Sequence, residues 1–249
     1  MNLENRVVVV TGASSGIGRA VAVAFARRGA RVVVNSLRNV AGGRDVVRAI
    51  EEAGGTAVYV QADVSEEAEV ERLFAETSRA LGPVEVLVNN AGSSFPTPFL
   101  DSTKEDWIRA FEANFFGTVI CSREAAKIML EQEGGKIINT ASVRGHSGTG
   151  REAIMGYSAA KAAVINFTRT LAKQLAPRIT VNAVSPGFVA TPPIVGMSDE
   201  QKAGFVDATP IGRLLEPEEM AEAFLFLAES DAVTGTVMLV DGGFTLKMA

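Results

Sequence analysis

Apolar stretches rich in valine and isoleucine recur at residues 6–12, 30–36, 56–63, 85–92, 135–142, 178–187 and 235–243. They are nearly continuous rather than alternating. A strand with one wet face alternates; a continuous run fits a strand buried on both faces, as in a parallel sheet. Segments of helical period lie between them. Residues 16–29, GIGRAVAVAFARRG, close on Gly29, a predicted C-cap. Residues 65–82 open on Ser65 as predicted N-cap, and their early glutamates suit the positive end of a helix. Strand and helix in alternation predict an α/β fold, doubly wound, with right-handed crossovers. No repeat or linker-like tract divides the chain, so residues 1–249 are read as a single domain. Residues 188–215 break the pattern, being long, rich in Pro and Gly, and helical only in short pieces. They are expected to form a lid, the alternative being a packed surface loop.

Composition narrows the function. The 249 residues suffice for a large core. No apolar run reaches the roughly 18–20 residues of a membrane span, so no membrane association is expected. The first residues lead into a strand without the pattern of a signal peptide. The one cysteine, Cys121, allows no internal disulfide, and a cytoplasmic location is expected. A net charge of −5 without a basic cluster argues against nucleic acid. The one histidine, His146, has no Cys/His spacing around it, so no metal is expected and His146 reads as a loop residue.

Two stretches carry chemistry. In VVVVTGASSGIGRAVAVAFA a strand, a glycine turn and a helix follow one another, with Gly12, Gly16 and Gly18 in the turn. Such a turn lets a phosphate approach the backbone, and the helix N-terminus beyond it suits a pyrophosphate. Ser14 and Ser15 add hydroxyl donors. In MGYSAAKAAV, Tyr157 and Lys161 stand four residues apart and share one helix face. A phenol titrates near 10, so acid–base work near neutrality needs a shift of roughly three units, about 4 kcal/mol. A neighbouring ammonium pushes in that direction. The plain alternative is a core tyrosine with a snorkelling lysine.

TGASSGIG resembles the cofactor motif of the short-chain dehydrogenases/reductases. That family's other motifs follow in order: NNAG at 89–92, Asn114, Ser142, YSAAK at 157–161, SPG at 185–187 and VDGG at 240–243. The resemblance spans essentially the whole chain. It implies a single-domain Rossmann-type, seven-stranded parallel sheet and hydride exchange with a nicotinamide. It implies Tyr157 as general acid and base, with Lys161 holding the nicotinamide ribose and depressing the Tyr157 pKa. Ser142 is implied to bind the substrate oxygen, and Asn114 to hold a proton-relaying water. The cofactor surface so implied comprises Gly12, Ser14, Ser15, Gly16, Ile17, Gly18, Asp63, Val64, Asn90, Ala91, Gly92, Pro186, Gly187, Val189 and Thr191, besides Tyr157 and Lys161. Asp63 is expected on the adenine amino group, with Ser65 as the better cap.

The end of the second strand bears on cofactor choice. Asn35 stands where an acid would favour NAD(H), and Arg38 follows as a fork for a 2′-phosphate. Ser15 replaces the basic residue of many NADP-using relatives. NADP(H) is expected, with NAD(H) possible. Ser142 and Tyr157 are 15 residues apart, about two more than is usual in the family. The extra length points to His146, Arg151 and Met155 as pocket residues.

Residues 93–99, Met155, Phe188, Ile194, Val195, Met197 and Phe205 predict an apolar pocket for a ketone or secondary alcohol. Within the family the overall look is nearest to the 3-oxoacyl-[acyl-carrier-protein] reductases. Glu131 and Glu133, taken to flank the pocket entrance, oppose an acidic carrier, whereas Lys173 and Arg178 suit one. Free carbonyl compounds or acyl-CoA are therefore ranked above carrier-bound chains. A non-catalytic nicotinamide-ratio sensor is the other class; a sugar epimerase would need a further C-terminal domain. A homotetramer (or homodimer) is expected through helices at about 104–131 and 153–176 and the last strand.

Overall fold

A computed structural model describes residues 1–248 and turns the seven apolar runs into seven strands. They are β1 (Val7–Val10), β2 (Arg31–Ser36), β3 (Thr56–Gln61), β4 (Val86–Asn89), β5 (Gly135–Thr140), β6 (Ile179–Pro186) and β7 (Val237–Val240). They pair in parallel in the order β3-β2-β1-β4-β5-β6-β7. The winding reverses between β1 and β4. In such sheets that crevice, outside the carboxyl ends of the strands, takes the ligand.

Nine α-helices complete the described chain. α1 (Gly16–Arg27), α2 (Val40–Glu52) and α3 (Glu67–Ala80) follow the first three strands. α4 (Lys104–Phe111), α5 (Gly117–Leu130) and α6 (Met155–Leu175) flank β5. α7 (Pro192–Val195), α8 (Asp199–Ala208) and α9 (Pro217–Glu229) separate β6 from β7. The continuous strands feed two cores. Val8 and Val10 meet Val21 and Phe25 of α1, Val46 and Ile50 of α2, and Phe224 of α9. Val7 and Val9 face Leu73 of α3 and Cys121 and Met129 of α5 on the other side. All four β1 valines are fully buried, hence the absence of alternation. Cys121 is fully buried too, and burial pushes its thiol pKa up.

Gly29 ends α1 as expected. Its N–H donates to the Ala26 carbonyl at 2.9 Å and that of Ala30 to Phe25 at 3.2 Å, the paired closure of a Schellman motif. Ser65 does not cap α3. The helix starts two residues later, and both the Ser65 hydroxyl (2.7 Å) and N–H (2.9 Å) donate to Asp63 Oδ1. The helix expected at 104–131 is present but interrupted. Residues Glu112–Phe116 form a π-turn between α4 and α5, centred on Asn114. Among the described residues, no helix is long and apolar enough to cross a membrane, and no cluster of three or more His, Cys, Asp or Glu could hold a metal.

Candidate active site

The glycine turn leaves β1 and enters α1 at the crevice. Gly12 has φ +61°, and a Cβ there would lie 2.8 Å from the Ala91 Cα; one on Gly18 would lie 2.4 Å from the Gly12 carbonyl oxygen. Both positions exclude a side chain, so the turn keeps a bare backbone face. Ser15, at the N-cap of α1, is exposed and makes no capping bond, so its hydroxyl is available to a ligand. The NNAG segment braces this turn. Asn90 Nδ2 donates to the carbonyls of Thr11 and Gly12 at 3.1 Å each, and Thr11 Oγ1 accepts the N–H groups of Asn90 and Ala91 at 3.0 and 3.1 Å. Asn90 therefore shapes the cradle with its side chain. A dinucleotide's pyrophosphate fits this bare face and helix end.

The acid–base residues gather beside it. Lys161 is buried, and its Nζ donates to the Thr140 carbonyl at the end of β5, 2.7 Å away. Its Nζ lies 5.8 Å from the centre of the Tyr157 ring, one helical turn back. Asn114 lies on the other side of Gly92: a Cβ on Gly92 would stand 2.7 Å from Asn114 Oδ1 and 3.5 Å from Lys161 Nζ. The Asn114 amide is fully engaged, donating to the carbonyls of Ser93 (2.6 Å) and Ala110 (2.9 Å) and accepting the Ser93 N–H (3.1 Å). Ser142, just past β5, is buried, and its Oγ accepts the Arg144 N–H at 3.1 Å. β5, α6 and the π-turn thus bring Asn114, Ser142, Tyr157 and Lys161 to one place at the carboxyl edge of the sheet.

The chain matches the family described as enoyl-(acyl carrier protein) reductase over residues 12–245. It belongs to the short-chain dehydrogenase/reductase family. It is 42% identical over 248 residues, 98% of each chain, to 3-oxoacyl-[acyl-carrier-protein] reductase from Synechocystis sp.. It is 41% identical over 244 residues, 96% of each chain, to cis-4-hydroxycyclohexanecarboxylate dehydrogenase from Sinomonas cyclohexanicum. Its fold is similar to a solved structure from Agrobacterium tumefaciens, provisionally assigned as a gluconate dehydrogenase. That match has TM-score 0.91 and 32% identity, and covers 98% and 97% of the two chains. The protein is an oxidoreductase of the short-chain dehydrogenase/reductase family, and a nicotinamide cofactor follows from that membership.

The electrostatics of this short-chain dehydrogenase/reductase site add a residue to the sequence expectation. Burial pushes the Tyr157 phenol up, while a hydrogen bond from Ser142 and the Arg144 guanidinium pull it down. Burial lowers Lys161 itself to about 8. Arg144, a residue that the motifs did not single out, is a further cation acting on the phenol. Its one visible signal in the sequence is an arginine two positions after Ser142, inside an otherwise uncharged stretch.

Other expected residues fall in several places. Asn35 is buried, and its amide donates to the Val60 and Ala62 carbonyls of the β3 edge at 3.1 Å each. Those donors clamp β2 to the end of β3. Arg38 is exposed just beyond β2. Asp63 Oδ1 is engaged by Ser65, and Val64 packs beside Gly117 at the start of α5. Ile17 packs with Val189, Leu215 and Met220 under the turn. Gly187 approaches Asp241 of VDGG so closely that a Cβ would lie 2.7 Å from the Asp241 Cα, just beyond Pro186. Thr191 reaches the glycine turn, 3.0 Å from where a Cβ on Gly16 would sit. His146 turns onto β6, its Nε2 2.8 Å from Ser185 Oγ. Met155 lines a small notch of mixed polarity with Phe95, Asp106 and Trp107.

The segment 188–215 packs against Val143, the neighbour of Ser142, through aromatic contacts. The rings of Phe188 and of Phe205 on α8 stack at 4.4 Å, and Phe244 meets Phe188 edge-on at 5.0 Å. The charged residues assigned to the pocket entrance lie elsewhere. Glu133 and Arg178 line a polar cleft with Glu85, Lys136 and Asp231, where β5 and β6 begin. Glu131 adjoins that cleft, and Lys173 sits in the last turn of α6, over four turns from Tyr157. They stand at the amino edge of the sheet and bear neither for nor against an acidic carrier at this chain's own site.

Proposed function

We propose that the protein interconverts a ketone, 3-oxoacyl or another small carbonyl compound, and a secondary alcohol with NADP(H) in preference to NAD(H). The observation that supports this most is the convergence of Ser142, Tyr157 and Lys161 beside a turn that excludes side chains. When bound, the cofactor supplies or accepts the hydride. Tyr157 Oη holds the proton that the carbonyl oxygen takes up in reduction and receives it in oxidation. Ser142 Oγ donates a hydrogen bond to the same oxygen and orients it, while Arg144 favours the charge that remains on the phenol. Lys161 Nζ, fixed on Thr140, holds the ribose and offers a proton toward Tyr157. Its lowered pKa of about 8 suits it to exchanging that proton near neutrality.

Exposed Arg38 at the end of β2, with no acid at the strand end, supports the NADP(H) preference. The relative named as a 3-oxoacyl-carrier reductase favours a carrier-bound 3-oxoacyl chain as the second reading. A panel of ketones and alcohols followed at 340 nm with all four nicotinamide cofactors tests the proposal. We expect a lower KM for NADPH than for NADH, a gap that Arg38→Ala closes. Tyr157→Phe should lower kcat by about a thousandfold or more and keep cofactor affinity. Full turnover in Tyr157→Phe would refute the acid–base role, and a wild-type chain that binds cofactor but reduces nothing would favour a sensor.

A further inference from the structure

Arg144 is half-buried against the aromatic cluster of Phe188, Phe205 and Phe244. Its guanidinium carbon lies 5.1 Å from the centres of both the Phe188 and Phe244 rings. Nη1 donates to the Thr149 carbonyl at 3.1 Å, and Thr149 is itself tied back to the carbonyls of Val143 and His146. The head group is therefore held by two aromatic rings and one carbonyl. Among the described residues no carboxylate lies within ion-pair distance of it. One of five N–H donors is used, so most of the fork is open. Leaving a half-buried guanidinium without a counter-charge is costly unless something supplies one. A second cation makes matters worse. Arg151 stands over the Phe205 ring at 5.9 Å, near enough to disfavour charge on Arg144, while Glu152 and the Tyr157 phenol, when ionised, favour it.

We propose that Arg144, assisted by Arg151, binds a carboxylate of the substrate, so that the compound reduced is an oxo acid and the one oxidised a hydroxy acid. This rests on the oxidoreductase reading above and narrows its substrate class. Arg144 follows Ser142 by two residues, and its backbone N–H binds the Ser142 Oγ that would hold the carbonyl oxygen. The anion site and the reacting oxygen are thus fixed by one short turn. The rings and the Thr149 carbonyl leave most of the guanidinium's N–H donors unused, and a guanidinium fork matches a planar carboxylate. Phe205, partly exposed and stacked on buried Phe188, offers apolar surface to the carbon skeleton between the two ends.

The test uses the whole enzyme with NADPH and a set of linear and cyclic oxo acids, each paired with its methyl ester and with a ketone phosphate of similar length. Wild type should prefer the best acid over its ester by on the order of ten- to a hundredfold in kcat/KM. Arg144→Met should bring that ratio near one, and Arg144→Lys should leave it intermediate. Arg151→Met should lower it less. The ratio is decisive because loss of Arg144 also acts on Tyr157, which slows acid and ester alike. An unchanged ratio in Arg144→Met, or esters reduced as well as acids by wild type, overturns the proposal and leaves the oxidoreductase reading intact. A preference for ketone phosphates over carboxylates overturns it in favour of a phosphate site. If nothing is reduced, acid, ester or phosphate, both readings fall together.

Discussion

At the residue scale, Lys161 shows how a site strains its own stability. Burial lowers its pKa from an ordinary 10.5 to about 8 in the folded chain. The folded state then binds its proton less tightly than the unfolded one. Stability is weakened fully below pH 8 and recovers as pH rises toward 10.5. The differential is on the order of 3 kcal/mol. Lys161→Met removes the titration, though it also removes the bond to Thr140. Thermal melts of both proteins from pH 7 to 10 should show wild type gaining on the variant as pH rises; a constant gap would contradict the buried charge. Residue types legible from motifs, such as Ser142, Tyr157 and Lys161, do stand together. Asn35 and Arg144 show the limit. An amide at a strand end looks the same in sequence whether it meets a ligand or the carbonyls of β3. An arginine in a loop shows its surroundings only when the rings beside it, from 188 and 244, are brought near by the fold.

At the element scale, the π-turn at Glu112–Phe116 is a local departure with a defined occupant. Helical period runs through it undisturbed in the sequence, because one extra residue in a turn shifts the apolar stripe too little to be read. What the turn gains is the reach of Asn114 to both backbone groups of Ser93, next to Gly92 and Lys161. Asn114→Ala would orphan those groups and cost about 1–3 kcal/mol. Asn114→Asp should cost a similar amount, since a carboxylate cannot donate to Ser93 and Ala110. Urea denaturation measures both, and unchanged midpoints would show that the turn stands without the amide. Ser65 is an instructive failure of the cap rule: a serine before glutamates reads as a cap, but Asp63 takes its hydroxyl first.

For the whole molecule, the strands were legible because a sheet covered on both faces demands continuous apolar runs. What those runs do not carry is which edge of the sheet a loop belongs to, and so Glu131 and Glu133 were placed at the wrong end. Apolar surface remains on the outside. Ile108 and Phe116 beside the π-turn, Phe226 on α9 and Leu239 on the edge strand β7 are all at least 40% exposed. We propose that copies of the chain cover these surfaces, as in the homotetramer expected from the sequence. Light scattering should give about four times 26.2 kDa, with Phe116→Glu reducing it; a stable monomer would refute the assembly.

The interior position of Cys121 has a practical consequence. The chain's one sulfhydryl is sealed between α5 and the sheet, in a neutral and unreactive form. A cysteine substituted for solvent-facing Val195 would be the sole target for a maleimide dye. The native background is silent, so fluorescence from that label would test directly whether the segment 188–215 moves when cofactor or substrate binds.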